Sequence, residues 1–145
     1  MRLTTFTDYC LRVLTYVGMK DEKVATIEEV SRHYGISRNH VMKVVLRLSQ
    51  LGYLATSRGK GGGMRLAMEP AKINIGVLVR QMEDDIILVE CFQGDGCTCR
   101  IAPACVLRTA LHEALDAFLA VLDSYTLADL LQPRAKLAKL LSLPA

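Results

Sequence analysis

Hydrophobic positions recur at helical spacing along most of the chain, and two short extended runs interrupt them near residue 60. Leu11, Leu14, Val17 and Gly18 keep a helical period behind Thr5 and Asp8, whose spacing predicts a capping box at the start of a first helix. The polar run KDEK at 20–23 ends it. Thr26 and Glu29 form a second capping box, opening a short helix with Ile27 and Val30 inward, and Gly35 breaks that helix. Ser37 caps a third. There Val41, Val44, Val45, Leu48 and Leu51 share one face, while Arg38, His40, Lys43, Arg47 and Gln50 fall largely on the other; Gly52 stops it.

Two short helices joined by a glycine-containing turn, the later one basic on its outer face, are the pattern of a helix-turn-helix. The next residues extend the reading. YLATSR (53–58) and MRLAM (64–68) are strand-like, and GKGGG (59–63) turns between them. A glycine-rich basic hairpin behind a helix-turn-helix predicts a winged helix. A nucleotide-binding loop is excluded, because the G-x-x-x-x-G-K-[ST] spacing is missing.

Beyond Pro70 a short helix is expected around Ile75–Met82, followed by an acidic, apolar stretch. A long helix is expected to begin near Pro103 or Ala104. Its seam of Leu107, Ala110, Leu111, Ala114, Leu115, Phe118, Leu119 and Leu122 is wider than one small domain needs, so a helix from a second copy is its natural partner. YTLADLL (125–131) predicts a last short helix with Thr126 and Asp129 as a capping box, and a basic-amphipathic tail follows Pro133. The expected fold is mainly α with a small β-hairpin wing. Its parts are a winged helix over 1–82, a cysteine-rich loop over 83–105, dimerisation helices over 104–131 and a tail over 132–145.

Composition adds two constraints. The 145 residues are 51% hydrophobic with 6% aromatics and no Trp, so the core must be aliphatic. The net charge of +3 hides an asymmetry: residues 1–69 carry eleven Lys/Arg against six Asp/Glu, and residues 70–145 carry seven against nine. No acid lies between Glu29 and Glu69, where Arg32, Arg38, Lys43, Arg47, Arg58, Lys60 and Arg65 occur. Such a basic block is suited to a polyanion. No stretch reads as a secretory signal or membrane span, so a cytoplasmic protein with reduced thiols is expected and no membrane partner.

Reduced thiols make CFQGDGCTCRIAPAC, residues 91–105, the most informative stretch, since it holds four of the five cysteines. Cys91 to Cys97 and Cys99 to Cys105 are C-x5-C, and Cys97 with Cys99 is C-x-C. These spacings do not match the paired knuckles of zinc sites, and a C-x-x-C dithiol is missing. A polynuclear iron–sulfur site suits the wider gaps, although ferredoxin spacing is not met. Iron–sulfur, zinc and thiol chemistry all stay open on spacing alone. Cys10, within the first helix, reads as a small buried hydrophobe.

Taken together, LTTFTDYCLRVLTY, YGISRNHVMKVVLRLSQLGYL, RGKGGGMRL, LVRQME, the loop ending in IAPAC, and FLAVLDSYTLADLL resemble the Rrf-type iron–sulfur winged-helix regulators over roughly residues 1–131. The resemblance is strongest to the nitric-oxide-sensing repressors of that family. It implies a homodimer built largely on the long helix, and one cluster per subunit held by three loop cysteines. It also implies a [4Fe-4S] form with Asp8 of the partner subunit as fourth ligand, [2Fe-2S] being the alternative. The family pattern has three loop cysteines and this chain has four. Cys91 and Cys105 fit in any case, Cys99 is the first choice for the middle ligand, and Cys97 is its substitute. Without the resemblance, Asp8 would read as part of a helix cap. A related regulator of cluster assembly places a histidine three residues after the last loop cysteine. Arg108 stands there in this chain, and His33 and His112 read as surface or packing residues.

The expected function is a transcriptional repressor, not an enzyme, that binds double-stranded operator DNA and releases it in response to nitric oxide. Ser37, Arg38, Asn39, His40 and Lys43 are the candidates for bases and phosphates in the major groove. Arg58, Lys60, Gly61 and Gly62 are the candidates for a neighbouring groove. The alternatives are a regulator of the same fold sensing cluster supply, iron or redox state, a zinc-stabilised DNA binder, and an electron carrier or redox enzyme built on the cysteine loop.

Overall fold

The computed structural model describes residues 2–21, 23–83, 86–93 and 97–143. Residue 22 of the KDEK turn, residues 84–85 and 94–96 of the expected cysteine segment, and residues 144–145 of the tail lie outside the described residues. Seven helices and one hairpin are described: α1 (Thr5–Met19), α2 (Ile27–Tyr34), α3 (Arg38–Gln50), β1 (Leu54–Ser57), β2 (Gly63–Leu66), α4 (Ile75–Met82), α5 (Val106–Asp123), α6 (Leu127–Leu130) and α7 (Arg134–Leu140). Short 3-10 turns occur at Pro70–Lys72, Glu90–Phe92 and Ala102–Ala104. The mainly helical winged helix-turn-helix expected from the pattern is the fold observed.

Local signals explain most of the boundaries. Thr26 and Glu29 form the expected reciprocal box at α2: the Thr26 N–H donates to Glu29 Oε2 (2.7 Å), and Thr26 Oγ1 accepts from the Glu29 N–H (3.2 Å). Gly35 ends α2 with φ +63°, a conformation glycine adopts at little cost. Ser37 Oγ accepts from the His40 N–H at the start of α3. Thr126 donates through N–H and Oγ1 to Asp129 Oδ2 (2.8 and 2.7 Å).

Two expected boundaries need correction. Thr4, not Thr5, caps α1: it is the extended residue (φ −62°, ψ 153°), and its Oγ1 accepts from the Thr7 N–H. Thr5 is already helical, so Asp8 does not complete a box and is ion-paired with Arg12 instead. The long helix begins at Val106, not at Pro103 or Ala104. Residues Ala102–Ala104 form a separate 3-10 turn with proline in its first positions, and Cys105 is extended (φ −84°, ψ 107°), so the helix has to restart after it.

The core sits where α1, α2, α3, the hairpin and α4 meet. Val13, Leu14, Val30, Val41, Val44, Leu48, Ile73, Leu78, Val79 and Leu127 are fully buried, each aliphatic side chain contributing about 1.5–3 kcal/mol through removal from water. The strands pair antiparallel with Leu54 opposite Leu66 and Ser57 opposite Gly63. Ala25 and Met64 exchange both backbone hydrogen bonds at 2.8 Å, so the segment before α2 adds a third short edge to the wing. This edge has no alternating pattern to announce it.

Close backbone approach joins α4 to the end of α5. A side chain at Gly76 would overlap the Asp123 carboxylate, and Asp123 is held bidentately by Arg80 (2.6 and 2.8 Å). The tail forms α7, which packs on α1: Leu141 is buried in the shared core, and Arg134 donates to the Met19 carbonyl. Among the described residues no helix is long and apolar enough to cross a membrane.

Candidate DNA interface and cysteine loop

The recognition surface follows from the two faces of α3. Its apolar spacing turns Val41, Val44, Val45 and Leu48 inward, leaving Arg38, Asn39, His40, Lys43, Arg47 and Gln50 exposed. Ser37 and Arg38 stand at its N-terminus, where Arg38 pairs with Glu28 of α2 at 3.0 Å. Arg58, Lys60, Gly61 and Arg65 are exposed on the hairpin, and Gly62 is half-buried. Gly59 (φ +96°) and Gly61 (φ +81°) take left-handed conformations, and a side chain at Gly62 would meet the Ser57 carbonyl oxygen at 2.5 Å. The tip can therefore close tightly only with glycine, and the Gly62 N–H donates to the Gly59 carbonyl within it (2.9 Å). A crevice between α3 and the hairpin is lined by Met42, Leu46, Arg58, Gly59 and Gly62 among others; Arg58 and Gly62 are the candidate residues it includes, and those of α3 lie outside it.

The cysteine segment runs from the 3-10 turn Glu90–Phe92 to the head of α5. Cys91, Cys97 and Cys105 are half-buried, Cys99 is exposed, and all four are free thiols. Glu90 accepts from the Thr98 N–H and hydroxyl at 2.7 Å each, which draws the two sides of the segment together and holds the Glu90 carboxyl below its ordinary range. Phe92 stacks on His112 of α5, ring centroids 3.8 Å apart at 12°. Thus His112 packs directly beside the loop, a role its sequence position does not reveal. Arg108, Thr109 and His112 line a cleft with Cys105.

The donor set suits an iron–sulfur cluster chemically: free thiols in one short loop, with no disulfide among the described residues. The described residues do not bring three ligand-type side chains together within this one chain. Asp8 lies on α1 and is half-buried, its carboxylate bound by Arg12 at 2.8 and 3.1 Å. Cys10 faces the other way. It is fully buried, its thiol 3.6 Å from Met82 Sδ, and burial pushes its pKa up to about 12.

Contacts the sequence pattern did not indicate connect α1 with α3. Tyr9 lies against His40, ring centroids 5.9 Å apart. The Thr4 N–H and hydroxyl donate to Glu83 Oε1 at 2.8 and 3.1 Å, tying the cap of α1 to the end of α4. Two residues earlier, the Gln81 carbonyl accepts from Arg47 of α3, and its side chain accepts from the Tyr53 hydroxyl at 2.7 Å.

The family model Rrf2, described as an iron-dependent transcriptional regulator, matches residues 3–133. The chain belongs to the Rrf2 family. Its Rrf2 relatives include the HTH-type transcriptional regulator NsrR of Geobacillus kaustophilus, 52% identical over 142 residues and 97% of each chain. The NsrR of Bacillus subtilis is 49% identical over 144 residues and 99% of each. Among solved structures, a putative transcriptional regulator from Listeria innocua superimposes with a TM-score of 0.74 at 25% identity, covering 92% of this chain and 88% of that one. CymR, the global cysteine regulator of B. subtilis, superimposes with a TM-score of 0.73 at 27% identity, covering 90% and 95%. This Rrf2 protein is a transcriptional regulator and not an enzyme.

Proposed function

We propose that this Rrf2 regulator is a cytoplasmic homodimeric repressor that holds operator DNA while it carries an iron–sulfur cluster and releases it on exposure to nitric oxide. The observation that carries this reading is on α1. Asp8, the carboxylate that the resemblance assigns to the cluster, is next in sequence to Tyr9, which touches the recognition helix.

Cys91, Cys99 and Cys105 would hold the cluster, with Cys97 as substitute for Cys99 and the partner subunit's Asp8 as the fourth ligand. When bound, a [4Fe-4S] cluster, or a [2Fe-2S] one, supplies iron that nitric oxide attacks. Cys105 stands immediately before α5, and the Phe92–His112 stack secures the Cys91 end to the same helix. Both ends of the loop are therefore attached to α5. Along that helix only Leu115 is buried, while Val106, Leu107 and Val121 are exposed by 81%, 65% and 58%. This open apolar seam supports a second copy as its partner.

In such a dimer Asp8 has two competing partners, Arg12 of its own helix and a cluster across the interface. As a ligand it would fix α1 against the other subunit, and Tyr9, Thr4 and Glu83 would pass that position to α3 and α4. Released, it would return to Arg12, and the separation of the two α3 helices would no longer be held. Ser37, Arg38, Asn39, His40 and Lys43 would enter the major groove, with Arg58, Lys60, Gly61 and Gly62 at an adjacent minor groove or its phosphates.

The test is the absorption spectrum with iron and sulfide content of protein purified without air, before and after nitric oxide. Charge-transfer bands with matching iron and sulfide, lost or shifted by nitric oxide, are expected. A colourless protein that retains zinc would contradict this reading.

A further inference from the structure

The outward face of α3 carries two large apolar side chains amid its basic and polar ones. Met42 is 53% exposed and Leu46 is 61% exposed. They are four residues apart, so they lie side by side on the helix surface. Leu46 falls between Asn39, Lys43 and Gln50 on that face. Met42 lies on the flank toward the wing, where both line a crevice of about 510 Å³ with Val45, Ser49, Arg58 and Gly59. The core does not use them, since α3 buries Val41, Val44, Val45 and Leu48 instead.

What could cover this strip is limited by its surroundings. Lys43 is exposed beside Leu46 on the same face of α3 and Arg58 lines the crevice, whereas Arg38 is paired with Glu28. An uncharged apolar partner would have to bury Lys43 and Arg58 unpaired, at considerable cost. A polyanion that also presents apolar groups satisfies both demands. Duplex DNA does so in its major groove, where phosphates flank the 5-methyl groups of thymine.

We propose that Met42 and Leu46 are specificity-determining residues that pack against thymine methyl groups in the operator. The inference rests on the DNA-binding reading of α3 and adds an apolar component to it. Asn39 and Lys43 supply hydrogen bonds and charge on the same face, while Met42 and Leu46 select thymine over bases that present no methyl at those steps. Met42 suits this contact because its flexible, polarizable thioether adapts to a small apolar target.

The experiment starts with duplexes selected by the air-free protein from a randomised library. Each thymine of a selected duplex is then replaced singly by deoxyuridine, which removes the methyl and leaves the pairing edge intact. At one or two steps per half-site, affinity is expected to fall about three- to fivefold, the effect of one buried methyl. Met42→Ala and Leu46→Ala, both at exposed positions, are expected to erase that sensitivity at their own steps while the dependence on salt stays unchanged. Equal binding of thymine and deoxyuridine duplexes at every step would overturn the proposal, as would sensitivity that persists in both variants. If no duplex is enriched above random DNA, the DNA-binding reading itself fails, an outcome distinct from enrichment without thymine sensitivity, and it overturns the proposal as well.

Discussion

Tyr9 of α1 and His40 of α3 meet with ring centroids 5.9 Å apart, one residue beyond Asp8. Next to Asp8, α1 therefore contacts α3 without an intermediate element. The Thr4–Glu83 hydrogen bonds make a second link through α4, whose last turn accepts from Arg47.

Glu83→Ala removes the second link without touching a cluster ligand or a DNA-facing side chain. The iron content of the variant is expected to match the wild type. The ratio of DNA affinities with and without cluster is expected to fall roughly two- to thirtyfold, the range in which single linking residues alter coupling. Fluorescence anisotropy on both forms checks this, and an unchanged ratio would remove Glu83 from the route.

Asp8→Ala separates ligation from folding. The Asp8–Arg12 pair is exposed, with each side chain at 45%, and pairs of this kind contribute about 0–1 kcal/mol. The variant is expected to unfold within a few degrees of the wild type in a thermal scan. Its iron content after gel filtration is expected to be markedly lower, and full retention of iron would exclude Asp8 as a ligand.

The five thiols should divide by reactivity. Burial raises the Cys10 pKa to about 12, so at pH 8 its thiolate is scarce as well as inaccessible. Alkylation of iron-free native protein, followed by mass spectrometry, is expected to modify Cys91, Cys97, Cys99 and Cys105 well before Cys10. Because burial disfavours the thiolate, Cys10 is expected to react only once unfolding exposes it. In protein purified without air, Cys105→Ala is expected to abolish iron binding and Cys97→Ala to leave it in place, as iron content after gel filtration will show.

Gly76 is required where α4 meets α5. A methyl group there would lie within overlap distance of the Asp123 carboxylate, so Gly76→Ala must move α5 or break the Arg80–Asp123 pair. Overpacking of this kind costs about 1–3 kcal/mol. A denaturation midpoint lowered accordingly is expected, and an unchanged midpoint would show that the junction can yield freely.

The DNA-reading half of the fold was legible because its boundaries are set locally. Thr26 with Glu29, Ser37, Gly35 and Gly52 each act within a few residues, and the apolar spacing of α3 names its buried face directly. The start of α1 was not, because Thr4, Thr5 and Thr7 can all cap a helix and only the extended backbone at Thr4 decides. Pro103 similarly concealed the gap between the 3-10 turn and α5. At the candidate site, the cysteines and basic residues were visible as residue types. Contacts such as Tyr9–His40, Phe92–His112 and Thr4–Glu83 join positions up to 79 residues apart, and no local period encodes them. Met42 and Leu46 left a trace, being apolar residues outside the buried spacing of their helix.

The central claim is that DNA affinity depends on the loaded loop. Operator binding should be measured without air on one preparation in three states: cluster-loaded, exposed to nitric oxide, and stripped of iron. The loaded form is expected to bind roughly 5- to 150-fold more tightly than the other two, the usual span of coupling between sites. Three equal affinities would contradict the account.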